Sequence, residues 1–585
     1  MSPEPIPNLV DSSTGLGLDR DKATPSLQQH HANEDFSSYA RKEKSTHITK
    51  SLIKATIYAS ISGLLFGYQL GITSGALHSL QSSLDLTSSQ TESITSFFFL
   101  GLMIASPFGG EACDRFGRRK SILCTDGVFG FSSLMLLFAP GIKVILMGRF
   151  ISGCASGIAL VSAVSYLTEL GSGDHSHRGA LVSTVEASVS LGFLLAYLTS
   201  CILLKFVDME ESWRLLFGLG TGLLSFIQWM GMRKMPESPD WLAQMGFHGR
   251  AEEALRWIGS RDTHSIKTRR HDHMHEESPE LRRPAVISLE CPSISQYYRQ
   301  VIIVAFLAMA EQFCGHINIM NYAPVIFAEA FFDYDEEQAT NDGAVASELL
   351  STTVILGIVK FLVTTFVLFE VDKLGRLFLM KAGAGLVSVS LLCLAAGFSV
   401  NLEVTYESDS GATEYKHSSF QKAMVLIGCT GCVAGFALSY GPITWLLVSE
   451  LSPGSIRGRM LGFYTVLTHG SAALVSYSFL SGQVKYSDAA PFWLYFICSI
   501  VSWLFVVLAV PETGDVDDGD VEDLLDELWF WGDENPLNCC THPSLNCGGC
   551  NKRRASRRGE ELGRINSCFE NGSLDQSQQS DVEFV

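Results

Sequence analysis

Apolar runs of about twenty residues, parted by short polar stretches, recur along the chain from residue 53 to residue 510. Twelve can be counted, over 53–72, 94–112, 121–140, 144–168, 179–202, 214–233, 299–329, 348–370, 378–400, 422–447, 458–481 and 490–510. Each is long enough to cross a bilayer as a helix. The third and fourth are closely joined, so a count of eleven stays open. The pattern predicts an all-α polytopic membrane protein. Lys and Arg crowd alternate loops: Arg115, Arg118, Arg119 and Lys120 in 113–120, many more in 234–298, and Lys373, Arg376 and Lys381 in 371–381. The segments 73–93 and 330–347 carry neither residue. Basic loops are retained in the cytoplasm, so both termini are expected there, as an even number of spans requires.

Composition agrees. At 47% hydrophobic and 18% charged, the chain is too apolar for an ordinary soluble protein of this size. The net charge of −19 does not imply an acidic partner or a nucleic acid, because much of the acid sits in the start, the loop after 329 and the tail after 511. Ten of the fifteen cysteines lie at or before Cys498, mostly in or beside apolar runs, where Cys acts as a small buried hydrophobe. The first fifty residues are polar and have no apolar core, so no cleavable signal peptide is expected.

The chain also repeats itself. "DRFGRRK" at 114 returns as "DKLGRL" at 372, "YLTEL…RGALVS" at 166 as "LLVSELSPGSIRGRMLGF" at 446, and "PESP" at 236 as "PETG" at 511. The pairs keep their order and lie about 260–280 residues apart. This divides the chain into a six-helix half over 51–233 and a second over 299–510. A cytoplasmic connector, 234–298, joins them, and tails over 1–50 and 511–585 flank them. Parallel six-helix repeats place a ligand site between the halves near the bilayer midplane. The connector's His271, His273 and His275 read as part of a solvated linker, since no partner ligands accompany them, and no metal centre is expected.

The repeated motifs are charged. Asp114, Arg118 and Arg119 sit at a helix–loop–helix junction, and Asp372 and Arg376 echo them. Glu169 and Arg178 flank the next loop, Glu450 and Arg457 repeat that arrangement, and Glu237 and Glu512 close the sixth and twelfth spans. Acids and bases at helix ends can pair, hold one face shut and part when the halves rock. Positive-inside topology explains a lone Arg or Lys, whereas the duplicated Glu…Arg pattern points to a gate.

The seventh span poses a different question. "EQFCGHINIMNYAPVIF" at 311–327 places Glu311, Gln312, His316, Asn318 and Asn321 in an apolar run, which lipid would not tolerate. On one helix Glu311, Gln312 and Asn318 share broadly one face. His316 reads as a packing or interhelix contact. Pro324 removes a backbone donor and permits a bend.

"GYQLGITSGAL", "DRFGRRK", "GRFISG", "PESPDWL", "GPITWLLVSELSP", "IRGR" and "PETG", spread from about 53 to 514, resemble the sugar-porter signatures of the major facilitator superfamily. The resemblance implies two six-helix bundles and carriage of hexoses or polyols by alternating access. A closer resemblance is to the class III facilitative hexose transporters of animals. In "EQFCGHIN" the Asn falls one place late, at Asn318; the position aligned from "RGALVS" is Glu186; and "GIVK" ends at Lys360. Carried over, the substrate site is Glu186, Glu311, Gln312, Asn318, Asn321 and Trp445, with Phe66 lining the same cavity. Amides and carboxylates supply donors and acceptors for hydroxyls, and an aromatic face covers the ring's C–H surface.

Several positions depart from the family pattern. Glu311 replaces a Gln, Ile317 stands where the family Asn stands, and Thr468 and His469 replace an amide and a Trp. Gln69 stands where proton-linked symporters usually have Asp, which favours facilitated diffusion. Glu186 and Glu311 remain candidate proton carriers, so proton-coupled sugar or polyol (myo-inositol) symport is the alternative. A non-transporting sugar receptor is a remoter one. No nucleophile–base motif or nucleotide loop stands out, so no enzyme activity and no cofactor are expected. The expected partners are a monosaccharide and the lipid bilayer, with the protein working as a monomer in the plasma membrane or an endomembrane. The tail's Cys539, Cys540, His542, Cys547 and Cys550 leave zinc binding, palmitoylation and free thiols open. "DVEDLLDELWFW" at 520–531 reads as a membrane-surface helix or, through Leu524 and Leu525, a sorting signal.

Overall fold

The computed structural model describes residues 49–171, 175–207, 209–259, 297–331, 343–399, 403–407, 413–417, 419–452, 457–513 and 525. The connector histidines and the tail cysteines lie outside these residues, as does the segment 520–531 apart from Leu525. The first half comprises spans Lys50–Leu84, Ser88–Phe116, Arg118–Leu137, Ile142–Leu170 and His175–Phe206, then a sixth built from Met209–Leu215, a π-helical turn Leu216–Gly220 and Thr221–Met232. Two short helices, Pro239–Gln244 and His248–Ile258, begin the connector. The second half has a seventh span in three pieces, Tyr298–Phe313, His316–Asn321 and Ala323–Phe331. The eighth and ninth are Gly343–Leu374 and Arg376–Ser399. The tenth joins Ser419–Leu438 to Tyr440–Leu451, the eleventh joins Arg457–Tyr477 to Phe479–Lys485, and the twelfth is Ala490–Ala509. The halves are two six-helix bundles that meet along two seams, the second span against the eleventh and the fifth against the eighth.

Helical periodicity sorts each span into a lipid face and a protein face. On the eighth, Ile355, Ile358, Leu362, Phe366 and Phe369 form an exposed apolar stripe. Thr353, Leu356, Lys360, Thr364 and Val367 are buried behind it. The spacing is that of one face of an α-helix, and it directs Lys360 inward, where a membrane-embedded cation has to lie. Small residues let backbones approach: a Cβ on Gly67 of the first span would come 1.9 Å from the Val189 carbonyl oxygen of the fifth.

Among the described residues eleven helices are apolar and long enough to cross a membrane. The third and fourth spans are separate, so their junction does not account for that number. The span left out is the eleventh, whose Thr465, Thr468, His469 and Ser476 are buried. It packs against the second and seventh spans, and these polar groups lie on its protein-facing side, where they are tolerated, while Phe463 and Leu474 are exposed. A second difference is an antiparallel hairpin between the ninth and tenth spans, pairing Glu403–Glu407 with Thr413–His417. These are the only strands among the described residues.

Candidate functional site

The seventh span does not run as one helix over 299–329. It stops at Phe313 and restarts at His316. Gly315 makes the break, with φ 71°, a left-handed conformation that side chains disfavour. A Cβ there would also lie 2.2 Å from Tyr495 Cδ2. The expectation of one continuous polar face is therefore corrected: residues on either side of Gly315 meet different neighbours.

Before the break, Glu311 points toward the eleventh span, with Gln312 beside it. The Tyr464 hydroxyl donates to Glu311 Oε2 at 2.5 Å, and Gln312 Nε2 donates to Glu311 Oε1 at 3.1 Å. Trp445 stands edge-on to Tyr464, with ring centroids 5.0 Å apart. Gln312 and Trp445 are half-buried, whereas Glu311 is buried. Across from them, Glu186 reaches in from the fifth span, half-buried. Its Oε1 lies 3.3 Å from where a Cβ on Gly441 would sit. Phe66, also half-buried, stacks on Phe98 at 6.3 Å.

After the break, His316 stacks on Phe436 with centroids 3.6 Å apart, and its Nε2 lies 3.4 Å from Lys360 Nζ. His316 is thus an interhelix contact, to the eighth and tenth spans. Lys360 Nζ also lies 4.3 Å from the Phe193 ring centroid and 5.1 Å from that of Phe436. Its charge acts on both Glu186 and Glu311. Two carboxylates, the half-buried Glu186 and the buried Glu311, and the buried Lys360 ammonium therefore form a cluster that spans the two halves.

Asn318 and Asn321 are fully buried. Asn318 Nδ2 donates to the Val475 carbonyl at 2.9 Å and to Tyr495 Oη at 2.7 Å, so it ties the seventh span to the eleventh and twelfth. The Asn321 amide has neither a donor nor an acceptor partner among the described residues. Pro324 has the predicted consequence for the backbone. It cannot donate to the Met320 carbonyl four residues back, and the Tyr197 hydroxyl of the fifth span donates there instead, at 2.9 Å.

The charged motifs form two copies of one arrangement. Arg118 bonds Glu169 at 2.8 Å and Asp114 at 2.9 Å, and Ser238 Oγ also donates to Glu169. Glu237 accepts from the Arg119 backbone N–H at 2.8 Å, capping the third span. In the second half Arg376 faces Glu450 at 3.5 Å, and Thr513 Oγ1 donates to Glu450. Glu512 accepts from the backbone N–H groups of Arg376 and Leu377 at 3.1 and 2.9 Å. Gly117 and Gly375, both at positive φ, let the chain turn over these glutamates. Each set of bonds stays inside its own half. The side chains of Arg178, Asp372 and Arg457 lie outside the described residues.

Three contacts escaped the sequence reading. Glu92, fully buried at the start of the second span, accepts from the Ser481 backbone N–H at 2.8 Å and from its hydroxyl at 2.5 Å. That bond joins the halves at the end opposite the charged motifs. In sequence Glu92 looks like a loop acid; only its position five residues before Phe97, at the edge of an apolar run, hints otherwise. The fully buried Arg149, of "GRFISG", donates to Gln69 Oε1 at 2.8 Å and to Thr73 Oγ1 at 2.9 Å. It also sits 4.5 Å from the Phe98 ring centroid. These partners are neutral. Tyr464 is the third; its signal is a phenol in the middle of an apolar run, close to Thr465, Thr468 and His469.

A family model described as "Sugar (and other) transporter" matches residues 55–517. The arabinose-proton symporter of Escherichia coli (strain K12) is 29% identical over 462 residues, covering 79% of this chain and 90% of that protein. Solute carrier family 2, facilitated glucose transporter member 10, of Danio rerio is 28% identical over 495 residues, covering 79% of this chain and 90% of that one. The solved structure of the E. coli xylose transporter XylE, in a partially occluded inward open conformation, is similar with a TM-score of 0.64 at 23% identity. It covers 80% of this chain and 100% of its own, a likeness of fold.

Proposed function

The chain belongs to the sugar transporter family of the major facilitator superfamily, and we propose that it carries a hexose-like monosaccharide across a membrane by facilitated diffusion. The observation that carries this reading is the polar cluster between the halves. Glu186 comes from the first bundle, and Glu311, Gln312 and Trp445 come from the second. Carboxylate and amide groups of opposite bundles would grip the sugar hydroxyls, with the Trp445 face on the ring. Rocking of bundles 51–233 and 299–510 about this site would expose it to each side in turn. The Arg118–Glu169 and Arg376–Glu450 sets would brace the ends of each bundle at the cytoplasmic face, where the basic loops place them. Asn318 and Asn321 would support the site. Both termini would be cytoplasmic, the working unit a monomer, and no covalent step enters the cycle.

Neutral Gln69 beside Arg149 favours uniport, because an amide cannot take up and release a proton near neutral pH. Proton-coupled symport is the second reading. It is favoured by one observation: two carboxylates, Glu186 and Glu311, stand in the polar cluster between the halves, and Lys360 is the cation near both. Uptake of radiolabelled sugar into proteoliposomes, with and without an inward proton gradient, separates the two. Facilitated diffusion predicts equal initial rates. Uptake accelerated by the gradient, and no longer accelerated in Glu186→Gln, would establish symport and overturn the uniport reading.

A further inference from the structure

We infer that Tyr464 is a positioning residue that sets substrate affinity, by fixing the Glu311 carboxylate and the Trp445 ring relative to one another. The inference rests on the reading of Glu311 and Trp445 as substrate contacts.

Tyr464 lies on the eleventh span and is fully buried. Its hydroxyl donates to Glu311 Oε2 at 2.5 Å, a charge-assisted geometry when the carboxylate is ionised. Its ring meets Trp445 edge-on, with an interplanar angle of 80° and centroids 5.0 Å apart. One side chain thus touches both the polar and the aromatic part of the site. The ring is held in turn by Val304, Ala308, Val448 and Met460, from the seventh, tenth and eleventh spans. It therefore cannot swing without opening those contacts. Gln312 Nε2 occupies the other oxygen of Glu311. With Tyr464 on one oxygen and Gln312 on the other, rotation of the carboxylate about its terminal torsion, otherwise broad, is arrested. A carboxylate also fits this donor pair better than an amide would. It accepts on both oxygens, whereas an amide presents a single acceptor. The Glu at 311 and the Tyr at 464 therefore form one unit.

The test uses the full chain in proteoliposomes with radiolabelled D-glucose and, in parallel, myo-inositol. Tyr464→Phe removes the hydroxyl and keeps the ring packing. The expected result is a KM raised about tenfold with a maximal rate within about twofold of the parent, as for the loss of one hydrogen bond to a charged group. In a Glu311→Gln background the same substitution should change KM by less than about twofold, because its partner is already altered. An equal effect of Tyr464→Phe in both backgrounds, or no effect on KM where Glu311→Gln alone raises it, overturns the inference and leaves the site reading intact. Unchanged uptake in both Glu311→Gln and Trp445→Ala sinks the site reading itself. Should Tyr464→Phe not yield a monodisperse protein, 3-fluorotyrosine at position 464 nearly keeps the ring's size and, through its ring fluorine, changes the donor strength of the hydroxyl. A KM shift present with Glu311 and absent in Glu311→Gln supports the inference, and no shift in either overturns it.

Discussion

Glu92→Ala is the most informative single perturbation of the transport cycle. Both Glu92 oxygens are spent on Ser481, one on its N–H and one on its hydroxyl, and both bonds cross between the bundles. They can exist only while the bundles touch at that end. A hydrogen bond to an ionised group contributes about 1.5–3 kcal/mol, so the pair contributes about 3–6 kcal/mol gross. Water regained on opening offsets part of that, and about 3 kcal/mol of bias toward the touching state is a conservative figure. The equilibrium between the touching and parted arrangements should then move by about 100-fold in Glu92→Ala. Glu92→Gln, which keeps an acceptor but no charge, should move it by about tenfold. Electron–electron resonance distances between spin labels at Asp85 and Val484, carried on non-canonical residues so that native cysteines stay, would read it directly. Both positions are exposed, one on each bundle. Glu92→Ala should add a longer-distance population and Glu92→Gln a smaller one. An unchanged distribution in folded Glu92→Ala would show that this contact carries no conformational bias, and would refute the reasoning.

Three further outcomes are expected. Gln312→Ala should abolish sugar uptake in transporter-deficient cells while surface expression, measured by biotinylation, stays intact; unaltered uptake would remove Gln312 from the site. Gly315→Ala combines an unfavourable φ with a Cβ 2.2 Å from Tyr495, so it should destabilise the folded protein by at least ~2 kcal/mol, seen as a lower unfolding temperature in detergent; an unchanged temperature would contradict the strain argument. Tyr197→Phe leaves the Met320 carbonyl without a partner beside Pro324 and should cost about 1–3 kcal/mol in the same assay; an unchanged unfolding temperature would contradict it.

Much of the architecture was legible in the chain itself, because bilayer thickness dictates the length of every apolar run. Eleven of the twelve runs appear as apolar helices, and the remaining one, the eleventh span, carries Thr465, Thr468, His469 and Ser476 on a face buried in protein, which makes it less apolar than the others. The repeated motifs announced two related halves, and their contacts are copies: Glu237 on the third span, Glu512 on the ninth. These signals are local, so sequence carries them well. The candidate site was legible only in its membership. Glu186, Glu311, Gln312 and Trp445 were named in advance, but on the assumption of an unbroken seventh helix. A left-handed Gly315 re-aims everything after it, and this is why Asn318 turns to Tyr495 and His316 to Lys360.

Sequence by itself determined which stretches cross the membrane, which faces meet lipid, and that the chain doubles. The tertiary structure alone decided who meets whom across large separations: Glu92 with Ser481, Tyr197 with the Met320 carbonyl, Tyr464 with Glu311. The reason is physical. Partitioning into lipid is a property of each segment and is written in its own residues. A hydrogen bond between bundles depends on how twelve helices pack, and no short stretch of either partner specifies it.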